Sequence, residues 1–277
     1  MLSHDRDVWK RLSGPYGSAK HVPILLQQLE QEFSQEVFEN LFQEYLFHQN
    51  TIYTATYAAM PFLAHLACTT SDAAVRKELF IHSGIIEASR DEQHQTPYPP
   101  SWTELADVVG STVCTEMYND YVEAIDQLKS LTEQVLNDVA VSSTDDMEKR
   151  YILIADAAFR ESYPVANMLM TFTEGDEYVA ECPACANEVY IWPDEHHAVP
   201  LKAYEQDPVF QPDQEAHAII PASSWTHEET QVLAERTAWI GEQTLAAYLP
   251  YLAGKTTCPS CHENISVWPA LLSTFTM

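Results

Sequence analysis

Glycine is scarce in this chain, with seven in 277 residues. Phosphate-cradling loops and dinucleotide folds depend on clustered glycines, and no P-loop, Rossmann fingerprint or G-x-S-x-G elbow is present. Basic residues are also few: 14 Lys and Arg stand against 41 Asp and Glu, a formal charge of −27. The deficit is uneven. No Lys or Arg occurs between Lys20 and Arg76 or between Arg90 and Lys129, and only Lys202 interrupts the stretch from Arg160 to Arg236. Such a field repels phosphate backbones and anionic lipid, so neither nucleic acid nor a membrane surface is an expected partner. It would steer a basic protein in quickly, or serve solubility alone.

Long apolar runs are missing too. No stretch reaches the ~18 residues of a membrane span. The N-terminus, "MLSHDRDVWKRLSG", lacks the apolar segment of a secretory leader, so a cytoplasmic location is expected. Six cysteines are too sparse here for a disulfide framework. Four of them form two Cys-x-x-Cys pairs, while Cys68 and Cys114 fall in apolar helical patterns.

Helical periodicity fills residues 1–172. Val22, Leu25, Leu26 and Leu29 mark one stripe, and Phe38, Leu41, Phe42, Tyr45 and Leu46 another. "YTATYAAMPFLAHLACT" is apolar nearly all round, which predicts a helix buried between neighbours. Val75, Leu79, His82 and Ile86 share a face after a Ser71 or Asp72 cap. "SWTE" at 101–104 reads as a capping box, and one long helix is expected from about Met117 to Val139. A further helix carries Met147, Tyr151, Ile154, Ala155 and Ala158 on one face. "VPILLQQL" and "MPFLAHLA" align with Pro23 over Pro61, close to the roughly 40-residue period of two-helix repeats. A proline in the first helical turn would fit both copies.

The stretches "GPYGSAKHVPILLQQL" and "LFQEYLFHQNTIYTATYAAMPFLAHLA" resemble bacterial HEAT-like proteins of poorly defined function. The shared pattern falls on His48, Gln49, Thr51, Tyr53, Ala55, Tyr57, Ala58 and Pro61, within residues 14–90. The resemblance implies a helical-repeat scaffold and assigns no activity. His48 and Gln49 are expected to tie a helix-to-helix loop together by hydrogen bonds.

The sharpest motif is a repeat. "ECPACANEVYIWP" (181–193) returns as "TCPSCHENISVWP" (257–269), so Cys182 matches Cys258, Cys185 matches Cys261 and Trp192 matches Trp268. Four soft thiolates in a tetrahedron suit Zn²⁺. The β-branched and aromatic flanks place each pair at the tip of a hairpin, so each copy supplies half of a structural zinc-ribbon site. His196, His197 and His262 are alternative ligands that a complete cysteine set makes unnecessary. Trp192 and Trp268 are expected to pack beneath the site. The connector, 186–257, far exceeds the about 15–20 residues usual between such pairs, so something is inserted. Residues 194–222 read as loop, and 223–255 as one capped helix of about six turns stopped at Gly254.

The expected architecture is mainly α: a HEAT-like α-solenoid over 1–175, then a zinc-ribbon-like region over 176–277 with an inserted loop and helix at 194–256. No catalytic constellation is evident; "HEETQ" at 227–231 lacks a zincin's second His, and His65 and His82 lie on apolar faces. The expected function is non-catalytic binding of a basic protein, in its most concrete form immunity to a cationic toxin. A scaffold without a toxin, or an uncharacterised hydrolase, is the alternative.

Overall fold

A computed structural model describes residues 1–4, 7–90, 96–142, 144–175, 177–193 and 200–275. The protein is mainly helical with small antiparallel sheets, and it divides into two compact units, Met1–Val135 and Leu136–Met277.

In the first unit, β1 (Ser13–Gly14) and β2 (Gly17–Ser18) form a minimal hairpin before α1 (Val22–Gln31). Pro23 lies in the first turn of α1, where an N–H would have no intrahelical partner anyway. α2 (Gln35–Leu41) is capped by Ser34 and runs into a π-helical turn at Phe42–Leu46. β3 (Phe47–His48) and β4 (Thr51–Ile52) then pair across a turn in which Gln49 and Asn50 both have positive φ. The His48–Gln49 stretch is therefore a β-hairpin tip.

α3 (Thr54–Thr69) is buried on nearly every side, as its uniform apolarity predicts, and packs against α1, α4 (Ala73–Ala88) and α6 (Ser111–Ser130). Its Pro61 is in the helix interior, so it is not equivalent to Pro23 in the first turn of α1. Thr54–Met60, good enough helix formers with a Thr56 side chain closing the cap on Tyr53 N, extend the helix ahead of the proline. α4 starts at Asp72, whose carboxylate accepts from Ala74 and Val75 N–H groups. Ser101, by contrast, lies inside a 3-10 turn at Pro100–Trp102 that feeds α5 (Thr103–Val109), whose N-cap position falls on Trp102.

The helix expected over 117–139 is two helices, α6 and α7 (Thr132–Ala140). Near the break, Ser130 Oγ donates to the Gln127 carbonyl, and this local bond competes with continued helix. Beside α3 lies a buried polar knot. Arg90 pairs with Glu87 at 2.6 Å, Tyr121 donates to the same carboxylate at 2.6 Å, and Arg90 also donates to Tyr118. Burial first, and then the Glu87 charge, push the Tyr121 hydroxyl well above its ordinary pKa, so it stays a donor.

The second unit begins within α7. α8 (Asp146–Phe159), capped by Asp145, packs against α9 (Tyr163–Thr171). A four-stranded sheet follows in the order β5 (Tyr178–Glu181), β6 (Glu188–Pro193), β7 (Leu201–Tyr204) and β8 (His217–Ala218). β7 and β8 lie inside the span read as loop; Leu201 and Ala203 alternate inward, and pairing with β6 supplies the hydrogen bonds that the short segment cannot make alone. Next come α10 (Glu228–Ile240) and α11 (Gln243–Leu252), where the sequence read one helix. Gly241, left-handed at φ 66°, ends α10, and Glu242 caps α11. α11 does end just ahead of Gly254, at Leu252, although that glycine is not left-handed. Gly254 lies in the turn before β9 (Lys255–Thr257), where a Cβ would run into the Ile220 carbonyl. β10 (Asn264–Ser266) and α12 (Val267–Leu272) follow, and a 3-10 turn at Ser273–Phe275 ends the described chain.

α8 packs on α10, and α9 on α12, so these helices belong with the later elements of the second unit. The unit boundary thus falls earlier in the chain than residue 175. Three acids inside the protein hold cations close. Glu242, fully buried, takes Arg150 at 3.1 Å; Asp156, almost fully buried, takes Arg160 at 2.9 Å and Arg236 at 3.7 Å; and Glu87 holds Arg90. Lys149 donates to the Gly241 carbonyl at the C-terminal end of α10, where a cation is favoured.

Candidate metal centre

Each template copy folds into the same Cys-x-x-Cys turn. In the first, Cys182 N donates to the Asn187 carbonyl at 2.9 Å and Ala186 N to the Cys182 carbonyl at 2.8 Å. In the second, Cys258 N donates to the Glu263 carbonyl at 2.8 Å and His262 N to the Cys258 carbonyl at 3.0 Å. Ala186 and His262, the residues just after each second cysteine, are both left-handed, at φ 58° and 64°. This reversal returns the chain along its own path, so β5 pairs with β6 and β9 with β10 in antiparallel hairpins, as the alternating flanks predict. Val189 and Ile265, matched positions in the two copies, are both buried beneath the turns.

The four sulfurs converge. Cys182 Sγ lies 3.7 Å from Cys261 Sγ, Cys185 Sγ lies 3.9 Å from Cys258 Sγ, and all four fall within 4.8 Å of one another. None is in a disulfide. A tetrahedral ion bonded to sulfur at about 2.3 Å requires S···S separations of about 3.8 Å. The observed spacing fits that requirement, so the four cysteines could hold a metal ion. Cys182 and Cys258 are buried and Cys185 and Cys261 half-buried, so the cluster sits at the edge of the core. Burial pushes the Cys182 thiol up, but the backbone N–H groups of Ala184 and Cys185, with the sulfurs of Cys258 and Cys185, bring it down to about 7. Backbone N–H groups aimed at sulfur favour the thiolate, which is the ligating form.

His262 is exposed and contributes its backbone turn, not a ligand atom. His196 and His197 lie outside the described residues. Trp268 is fully buried at the start of α12, whereas Trp192 is half-buried on β6, and neither indole N–H has an acceptor among the described residues.

Sequence reading missed how the inserted segment joins the two halves. β8 continues into a backbone bridge in which Ile220 and Lys255 exchange both N–H···O bonds, at 2.8 and 3.0 Å, and Thr256 Oγ1 donates to the Ala218 carbonyl at 3.0 Å. The second hairpin is therefore tied to the first through the insert as well as through sulfur. The glycine at 254, needed for that close approach, was the available signal.

The remaining candidates lie apart from the cysteines in sequence and chemistry. The β3–β4 hairpin is itself the connection between the π-helical turn and α3, and hydrogen bonds tie it: Thr51 Oγ1 donates to the Gln49 carbonyl at 3.4 Å, and His48 Nδ1 lies 3.3 Å from the hydroxyl of the exposed Tyr16 in the β1–β2 hairpin. His82, half-buried, packs edge-on to Phe38 and Phe42, while His65 is exposed. Cys68 is exposed and Cys114 buried. No protein-family model, curated protein or solved structure matches the chain.

Proposed function

We propose that this protein is a non-catalytic, acidic binding protein whose second unit is held by a structural Zn²⁺ on Cys182, Cys185, Cys258 and Cys261, and that its partner is a basic protein. The zinc assignment is supported by four thiols at tetrahedral spacing with no histidine or carboxylate among them, the donor set of a closed structural site. Zinc there supplies a cross-link between hairpins.

The observation that carries the binding reading is the placement of charge. With 14 basic residues against 41 acidic ones, the chain also draws Arg90, Arg150, Arg160 and Arg236 into pairs with Glu87, Glu242 and Asp156. Few cations then remain to interrupt an acidic surface that speeds encounter with a cationic partner. The first unit is read as a helical-repeat scaffold, supported by neighbouring helices that pack in succession, α1 on α2 and α3 on α4. The concrete form of the proposal is a cytoplasmic immunity protein that blocks a cationic toxin.

The test is capture from the native host's lysate at low salt, release at high salt, and assay of the released protein for toxicity with and without this chain. A basic toxin that this chain neutralises, with an association rate falling steeply as salt rises, is the expected result. A neutral partner released only by denaturant refutes the charge-driven reading and leaves a scaffold.

A further inference from the structure

The insert that lengthens the ribbon does more than bridge its halves. Between β7 and β8 it projects a loop whose tip is apolar: Val209 is 64% and Phe210 78% exposed. Exposed aromatic side chains of this kind are the usual anchors of protein interfaces. This loop is also braced. Asp207 Oδ1 accepts from Val209 N at 2.8 Å, and the Asp207 carbonyl accepts from Phe210 and Gln211 N–H groups. Gln214 spans the base: its Oε1 accepts from Gln206 N at 3.0 Å, and its Nε2 donates to the Gln206 and Gln211 carbonyls at 2.7 and 2.9 Å. Pro208 and Pro212 restrict the backbone further. Little ordering entropy is left to lose on binding.

Charge sets the partner's chemistry. Glu205, Asp207, Asp213 and Glu215 flank the tip, and no Lys or Arg lies between Lys202 and Arg236. An apolar centre inside a polar rim is the ordinary anatomy of a specific interface, here with a rim of one sign.

We infer that residues 205–216 form a preorganised docking knob, in which Val209 and Phe210 enter an apolar pocket rimmed by Lys or Arg on a partner protein. The inference rests on the acidic-binder reading and names the surface that would do the binding. Both ends of the knob continue into the sheet that the four cysteines and the Ile220–Lys255 bridge hold together, so the metal centre supports it from below.

The experiment pans a random dodecapeptide library on the full chain and measures each enriched peptide against Phe210→Ala and Gln214→Ala. Enriched peptides should pair a large apolar residue with Lys or Arg. Phe210→Ala should weaken them about ten-fold and Gln214→Ala a few-fold. Melting and metal content should not change for Phe210→Ala, since the ring touches little of the fold. Basic peptides that bind Phe210→Ala as well as wild type overturn the knob and leave the acidic-binder reading standing. Enriched peptides without basic residues, held through Phe210 and insensitive to salt, overturn the inferred partner chemistry and count against the acidic-binder reading as well. An absence of enriched peptides also overturns the knob, and the salt-step capture then judges the broader reading alone.

Discussion

The two halves of the metal centre begin alike and end differently. From Cys182 to Val189 and from Cys258 to Ile265, they share backbone hydrogen bonds, a left-handed residue and a buried β-branched side chain. The first then continues as a six-residue strand that pairs with β7, while the second stops after three residues and turns into α12. The divergence is written in the residues after the shared core. Tyr190, a strand former, stands where the second copy has Ser266, which occupies the N-cap position of α12 without a side-chain cap hydrogen bond. After Trp-Pro, the second copy reads "ALLS", with helix formers that bury Ala270, Leu271 and Leu272; the first reads "DEHH", four polar residues that lie outside the described ones. The Cys-x-x-Cys turn and its immediate flanks are thus common to both copies, and ordinary propensity and burial decide everything beyond.

The largest effect should come from what the copies share. Cys185→Ser and Cys261→Ser each leave three sulfurs, and structural zinc sites carry apparent binding energies on the order of 10 kcal/mol. Both variants should lose the metal and loosen Leu136–Met277, while hydrogen exchange in Met1–Val135 stays unchanged. A variant that keeps wild-type protection throughout would mean that one copy does not need the other.

Next is a difference between the copies. Leu271 is fully buried on α12, so Leu271→Ala should cost about 3 kcal/mol in a urea titration. A cost under about 1 kcal/mol would show that α12 is not a core element of the second unit.

A smaller effect should again be common to both halves. Ala186→Gly and His262→Gly remove a left-handed non-glycine residue, and each should be neutral or stabilise by up to about 1 kcal/mol with metal bound. Destabilisation of either by more than that would contradict the matched turn geometry.

The smallest is a titration. Tyr190 donates to Glu188 at 2.6 Å; this bond first, then burial and the charges of Glu188, Asp207 and Glu177, push its hydroxyl up to about 12. With the folded pKa above the ordinary value of about 10, its contribution to stability is present below that pH and lost as pH rises toward 12. Glu188→Gln should bring the phenolate transition, followed by ultraviolet absorbance, back toward 10. An unmoved transition would exclude the Glu188 bond as its cause.

The convergence of the four cysteines was the most legible feature of the sequence because its signal is local: cysteine spacing, and flanks of period two. The helices were legible where burial is one-sided or complete, as in α3, and where a cap is strong, as at Asp72. What escaped needed partners distant in sequence. β7 is a strand because β6 offers an edge, and β8 because β7 does. The break between α10 and α11 was marked by Gly241, but apolar residues continue at helical spacing on both sides and hid it. Pro61 misled because the sequence match equated it with Pro23, while the helix around it had room to begin earlier.

The most direct test of the central claim, one ion held half by each copy, is elemental analysis of the natively purified chain combined with alkylation of its thiols. The account predicts one zinc per chain, with Cys182, Cys185, Cys258 and Cys261 all protected until a chelator removes the metal. A metal-free protein, or disulfides closed within each copy as Cys182–Cys185 and Cys258–Cys261, would contradict it.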